Sequence, residues 1–295
     1  MNALPLVSTE VGARLRDLHL VARRAAGGDG LGQHASRSRG AGLEFAQYRA
    51  YEPGDEPRRI DWKLFARSDR YFVREAERDS PLCAWLLLDA TASMRQVDQA
   101  RPRYTKLDAA KLIAACVIEL ALRQGDRFGL AALGGKPALH LPTASGARAR
   151  DRCMAALAAL EPSGRWPGDA DMAPLWNGLR GDALVLVLSD FFDDAAVDVA
   201  ERLAGAGREV LTIQLLGADE RDFPFRGGHR FHDPETGAER RVDAAAVRGD
   251  FLARFGAARA ALARRLAARG IRHVEHVLDE PVDAPLRRLF GTPRA

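Results

Sequence analysis

Three cysteines in 295 residues, Cys83, Cys116 and Cys153, are too few and too scattered for a disulfide framework, and none belongs to a C-x-x-C pair. A zinc knuckle is excluded with it. Cys83 and Cys116 lie in apolar runs and read as buried thiols. Long apolar stretches are also missing. The longest, such as "LIAACVIELAL" and "ALVLVLS", fall well short of the roughly 20 residues that a bilayer-spanning helix needs. The opening "MNALPLVSTEVGARLRDL" has no basic segment leading into an apolar one, so the expected compartment is the cytoplasm. Lysine is scarce: the chain has 44 basic residues, yet only Lys63, Lys106, Lys111 and Lys136 are lysine. The formal charge of +4 is spread among 40 acids, and no nucleic-acid recognition motif accompanies it, so nucleic acid is not an expected partner.

What is present is a core. At 47% hydrophobic composition the chain can bury one or two domains. Residues 10–26 carry a helical stripe at Val11, Leu15, Leu18 and Val21/Ala22, followed by the Gly- and Ser-rich "GGDGLGQHASRSRGAG". Residues 43–79 are dense in charge and aromatics with little period, apart from a strand at "RYFVREAE". From Leu82 onward buried strands alternate with helices: "LCAWLLLD", "KLDAAKLIAACVIELALRQGD", "ALVLVLSD", "DAAVDVAERLAGAG", "REVLTIQLL", "DFLARFGAARAALARRLAARG" and "IRHVEHVL". Such alternation predicts an α/β fold, a doubly wound, mostly parallel sheet with helices on both faces. "RFGLAALGGKPALHLP" predicts a hairpin with Gly134, Gly135 and Pro137 in its turn, which supplies an antiparallel edge, and "HRFHDPETGAERRV" a second small hairpin. The expected division is residues 1–80 as an N-terminal extension packed on the sheet and residues 81–295 as the α/β domain.

The chemistry gathers at "WLLLDATASM". An apolar strand stops at Asp89, and Thr91 and Ser93 follow at alternate positions, where side chains of an extended segment point the same way. "ALVLVLSD" ends likewise at Asp190. Ligands of open α/β sheets bind beyond the carboxyl ends of strands, so both acids fall on the functional edge. Asp89, Thr91, Ser93 and Asp190 offer hard oxygen ligands of the kind Mg²⁺ takes. The competing reading is that Asp89 or Thr91 simply caps the next helix.

"DATASM" resembles the D-x-S-x-S signature of von Willebrand factor A domains, with Thr91 in place of the first serine. That resemblance implies a von Willebrand A-like (Rossmann-like) fold and a metal-ion-dependent adhesion site, in which Asp190 matches the acid after the later strand. In the loop "GRWPGDADMAPL", where such domains tend to have Gly-Thr-Asp-Leu, Ala170 stands at the threonine position. The implied Mg²⁺ site is therefore incomplete unless Asp169 or Asp171 compensates. Upstream, Glu44-Phe45, Arg49-x-Tyr51, Pro53-Gly54-Asp55, Arg59-Ile60-Asp61-Trp62 and Ala66-Arg67, with "GDRFGLAAL", "SDFF" and "HDPETG" later, resemble the bacterial family known as domain of unknown function 58, from about Leu15 to His276. That resemblance implies work beside MoxR-type AAA+ ATPases in assembling or activating other protein complexes, with no catalysis by this chain. Arg49, Tyr51, Asp55, Arg59, Asp61, Trp62 and Arg67 are candidate partner-binding residues. Their structural alternative is an ion-pair network, with Glu44 and Arg58, above packed Trp62 and Tyr51.

Other patterns carry less. "GLAALGGKP" lacks the P-loop spacing, and Pro137 stands where Ser or Thr belongs. The His pairs 229/232 and 273/276 are three apart on strands, facing opposite sides. The expectation is an interaction module. The alternatives are a scaffold whose metal site has decayed, and a metal-dependent phosphoesterase.

Overall fold

The computed structural model describes residues 6–22, 45–52, 60–76, 81–99, 101–168, 172–179, 183–232 and 237–291. In chain order these residues form α1 (Thr9–Arg14), β1 (Phe45–Ala50), α2 (Trp62–Ser68), β2 (Phe72–Ala76), β3 (Cys83–Asp89), a 3₁₀ turn (Ala92–Arg95), α3 (Lys106–Gln124), β4 (Arg127–Leu133), β5 (His140–Ala144), α4 (Ala147–Ala159) and α5 (Ala173–Gly178). They continue with β6 (Leu184–Ser189), α6 (Asp194–Gly205), β7 (Glu209–Leu216), α7 (Ala218–Asp222), β8 (Gly228–His232), β9 (Glu239–Asp243), α8 (Ala244–Ala268), β10 (Arg272–Val277) and α9 (Ala284–Phe290). Contacts divide the chain into a larger unit, Met1–Asp29 with Leu82–Ala295, and a smaller one, Gly30–Pro81. The N-terminal helix α1 thus belongs to the larger unit.

The larger unit is built on a six-stranded sheet of order β10-β7-β6-β3-β4-β5. Every pairing is parallel except β4 with β5. β3, β6 and β7 are apolar almost throughout and buried on both sides, as a doubly covered parallel sheet requires. Alternation splits their side chains between two cores. Leu86, Leu88, Leu186, Leu188 and Ile213 pack with residues of α1, α3, α4 and α9. Trp85, Leu87, Val185, Val187 and Val210 pack with residues of α5, α6 and α8. From β3 the chain moves first to β4 on one side and later to β6 on the other, so strand order reverses between β3 and β6. β8 and β9 form a separate antiparallel hairpin.

The predicted helix over 10–26 is cut to α1. The stripe residues Val11, Leu15 and Leu18 are buried as expected, but beyond Arg14 only turn bonds such as Leu18 N–H to the Leu15 carbonyl (3.1 Å) remain, and α3 holds the chain as well. The Arg123 guanidinium donates to the carbonyls of Leu15 and Leu18, and the Gln124 amide bonds both the N–H (2.8 Å) and the C=O (3.1 Å) of Leu20. With those backbone groups satisfied, no helical ladder is required.

In the smaller unit, the strand expected at "RYFVREAE" is β2, and the stretch before it, read as having little regular period, contains β1 and α2. β1 and β2 pair antiparallel, and α2 is capped by Asp61, whose Oδ1 accepts from the N–H groups of Lys63 (2.9 Å) and Leu64 (3.0 Å). Trp62 is not packed beneath a charged network: it is 58% exposed, edge-on to Phe65 and Tyr71.

The turn between β4 and β5 touches the segment after β3. Gly135 has φ +79, and a Cβ there would lie 2.6 Å from the Ala90 Cβ. Gly135→Ala should therefore cost roughly 2 kcal/mol in urea unfolding, from left-handed strain and overpacking together. Gly256→Ala should stabilise by roughly 0.5–1 kcal/mol, because Gly256 lies inside α8 with open space around it. A Gly135→Ala protein as stable as wild type would contradict this packing.

Candidate functional site

Parallel pairing of β3 with β6 sets Leu88 opposite Leu188. One residue further, Asp89 and Ser189 share a face, and the Ser189 hydroxyl donates to Asp89 Oδ2 at 2.6 Å. The other carboxylate oxygen, Oδ1, accepts from the Thr91 N–H (2.9 Å) and the Thr91 hydroxyl (2.7 Å), which lies 3.0 Å from the Ser93 hydroxyl. Asp89 therefore closes a turn through the Thr91 backbone. Thr91 does not cap: it precedes the 3₁₀ turn, and its side chain bonds none of the turn's backbone N–H groups. Asp89, Thr91 and Asp190 are buried, and Ser93 is half-buried.

Asp190 stands next to Ser189 and meets the first turn of α3. Its Oδ2 lies 3.3 Å from Lys106 Nζ, and Glu220 of α7 takes the same ammonium at 2.8 Å. Lys106 has no exposed surface. Burial alone would lower its pKa, but the charges and hydrogen bonds of Asp190 and Glu220 outweigh that and hold it above the ordinary lysine value. Phe191 takes a left-handed φ of 55, its N–H bonding the Ser189 hydroxyl at 3.0 Å, and the chain then presents Phe192, 52% exposed, over the Lys106 ammonium at 4.5 Å. A non-glycine residue held there costs about 1–2 kcal/mol and marks a site that the surroundings over-determine.

The two acids differ in charge balance. Asp190 has Lys106. Asp89 has only neutral donors, and its carboxyl is pushed up to about 6, first by burial and then by the Asp190 charge, against the pull of Ser189 and Thr91. A carboxylate, two hydroxyls and a second carboxylate thus converge at the strand-order reversal, with one buried acid short of a counter-charge. This donor set fits a hard divalent cation. Among the described residues no group of three or more His, Cys, Asp or Glu side chains could hold a metal, so the hydroxyls and water would have to complete any coordination shell.

The structure joins Asp89, Thr91 and Ser93 by hydrogen bonds and sets Asp190 close enough for its charge to act on Asp89. Asp55 and Arg59 lie outside the described residues, as do Glu44, Arg58, Asp169, Ala170 and Asp171; of Arg49 only the backbone in β1 is described. Asp61 is a helix cap, Trp62 and Arg67 are exposed, and Tyr51 lies edge-on to Tyr71. The His pairs form no chelate: His273 bonds the Thr212 hydroxyl at 2.9 Å, while His276 is buried near Glu280. Sequence reasoning missed Ser189, Lys106 and Glu220. Period-2 alternation from Asp89's partner strand points to Ser189. Lys106 carried a signal too, as one of four lysines in an arginine-dominated chain, placed directly after a helix-capping threonine.

A family model described as "Protein of unknown function DUF58" matches residues 47–261. Similar proteins from Mycobacterium bovis and Mycobacterium tuberculosis, each described as uncharacterized, are 29% identical over 262 residues, covering 87% of this chain and 81% of theirs. Two solved structures also resemble it. One is a conserved hypothetical protein BatB from Bacteroides thetaiotaomicron, at 14% identity and TM-score 0.44, covering 70% of this chain and 95% of that one. The other is an aerotolerance-related membrane protein from Bacteroides fragilis, at 15% identity and TM-score 0.46, covering 70% and 96%. Among the described residues of the present chain no helix is long and apolar enough to cross a membrane.

A carboxyl held near 6 when folded and near 3.8 when unfolded keeps a proton in the folded state that the unfolded chain releases. Its contribution is complete below the unfolded value and is lost as pH rises through about 6, a swing of up to about 3 kcal/mol. Urea unfolding in EDTA should therefore show wild type losing stability relative to Asp89→Asn between pH 4 and pH 7. Parallel pH profiles for the two proteins would contradict this electrostatic picture.

Proposed function

The chain belongs to the DUF58 family, and on that footing we propose that it is a non-enzymatic, von Willebrand A-like protein-interaction module. It works in the cytoplasm with a MoxR-type AAA+ ATPase and the client proteins that this ATPase assembles or activates. The observation that supports this reading is the pair of strand-end carboxylates at the β3/β6 reversal, with Asp89 buried and lacking a cation of its own. Asp89, Thr91, Ser93 and Asp190 would hold Mg²⁺. When bound, the ion supplies an open coordination position for a partner's carboxylate.

The chain's own residues prepare that arrangement. Ser189 fixes one oxygen of Asp89, and Thr91 fixes the other together with the Ser93 hydroxyl. Lys106 holds Asp190 in place and neutralises part of its charge, which limits how strongly a free ion is held. A weak ion that is fully held only once a carboxylate ligand arrives suits a switchable contact. No histidine or second free base bonds either hydroxyl among the described residues, which favours binding over hydrolysis.

A second reading has its own support. Lys106 already compensates Asp190, and Ala170 stands where the von Willebrand A pattern has its threonine ligand, so the cluster would also hold together as a scaffold without metal. Affinity purification from the native cells, in Mg²⁺ and in EDTA, separates the two. The interaction reading expects an AAA+ ATPase with wild type and recovery at least about tenfold lower with Asp89→Ala or EDTA, a loss of roughly 1.4 kcal/mol or more. Equal recovery throughout favours the scaffold; no ATPase in any arm removes the assigned partner.

A further inference from the structure

The Lys106 ammonium is shared unequally between its two acids. It lies 2.8 Å from Glu220 Oε1, an ordinary length for a charge-assisted bond, but 3.3 Å from Asp190 Oδ2, a long one. The other two oxygens repeat the difference. Glu220 Oε2 accepts from the Gly217 N–H at 2.8 Å, whereas Asp190 Oδ1 accepts from the Phe192 N–H at 3.3 Å. Glu220 is thus closely held on both oxygens and Asp190 on neither, so Asp190 keeps the lone pairs that a stronger ligand would take.

Glu220 is brought to this point by bonds that do not involve Lys106. The Ala218 N–H donates to Asp98 Oδ2 at 3.2 Å, and Asp219 Oδ2 accepts from the Gln99 N–H at 2.8 Å, which together with the Gly217 bond fix the start of α7. The ammonium, for its part, has no route to water. It has no exposed surface, and the capping box of Thr105 and Asp108 holds the helix end that carries it. Phe192 lies over it at 4.5 Å and begins a run of rings through Phe255, Phe251, Phe223, Phe231 and Phe225, so that side is apolar.

A divalent ion at Asp89 and Asp190 would set two positive charges beside this buried one, and such charges repel strongly away from water. The ammonium can stay only if it keeps an acid of its own. Glu220 is that acid. Without it, lysine and ion would compete for the Asp190 carboxylate.

We propose that Glu220 is a positioning residue of the strand-end site, which draws the Lys106 ammonium off Asp190 and leaves that carboxylate to a divalent cation. The placement of α7 then sets how tightly the ion is held. The proposal rests on the reading of Asp89, Thr91, Ser93 and Asp190 as a cation site, and adds the residue that regulates it.

Mn²⁺ titration of the metal-free full chain, with unbound Mn²⁺ read from its EPR signal, tests this. Wild type should bind one Mn²⁺ and Asp89→Ala should not. Glu220→Gln should bind at least about tenfold more weakly than wild type. Glu220→Asp keeps the charge but shortens its reach; it should weaken binding too, and serves if Glu220→Gln does not fold in a melting experiment. Asp219→Asn removes the same charge from the same helix without freeing Lys106, and should stay within about twofold of wild type. Lys106→Met with Glu220→Gln removes competitor and acceptor together, and should restore wild-type affinity or better, a rescue that a merely structural glutamate would not allow. Asp89-dependent binding that is unchanged in both Glu220 variants, equally weakened by Asp219→Asn, or not restored in the double variant overturns the proposal and leaves the cation site standing. No binding by wild type, or binding indifferent to Asp89→Ala, overturns the cation site and the proposal with it.

Discussion

A buried ammonium holds this end of the molecule together. Lys106 is the first residue of α3, where the helix dipole opposes a positive charge, and it has no contact with solvent. Burying such an ion costs several kcal/mol, which only close, hydrogen-bonded carboxylates can offset. Asp190 and Glu220 do so, and in doing so they tie the start of α3, the end of β6 and α7 to one point. Thr105 and Asp108 fix that start with a reciprocal capping box, so Lys106 has little freedom to leave. Removing either the ammonium or its acids would leave an unpaired buried charge.

Around that point the functional edge is assembled from short links. Asp98 accepts from the N–H groups of Arg101 and Ala218, joining the segment before α3 to α7. Arg95 donates to the Pro162 carbonyl, and Ala90 and Ser163 bond through their backbones, joining the turn after β3 to the loop before α5. Asp89 lies at the centre of these connections but outside the Lys106 pair. It bears the cost of burial beside a like charge, and that imbalance is the physical reason to expect a cation there. The chain of aromatic rings starts where Phe192 covers the same ammonium and meets Phe255 edge-on.

The sheet was legible because β3, β6 and β7 are unbroken apolar runs, a pattern that two-sided burial alone explains. The strand-end acids were legible because alternation and topology place such residues at a ligand edge. What the sequence hid depends on distant partners. The stripe at 10–26 reads as helix until Arg123 and Gln124, over a hundred residues away, take its backbone groups. Trp62 reads as core until Asp61 proves to be a cap. The phenylalanines at 192, 223, 225, 231, 251 and 255 have no shared period, since they converge from separate elements, and nothing along the chain marks them as one surface.

On the proposed reading, Asp89, Thr91, Ser93 and Asp190 hold a divalent cation whose last position is open to a carboxylate. Anomalous diffraction from crystals soaked in Mn²⁺ and acetate tests it most directly, because Mn²⁺ accepts the same hard oxygen ligands as Mg²⁺. The predicted result is one anomalous peak bound by these four side chains, with acetate as a further ligand. No peak at these oxygens with acetate present, and Lys106 still seated on Asp190, would contradict it and leave the lysine as the site's own cation.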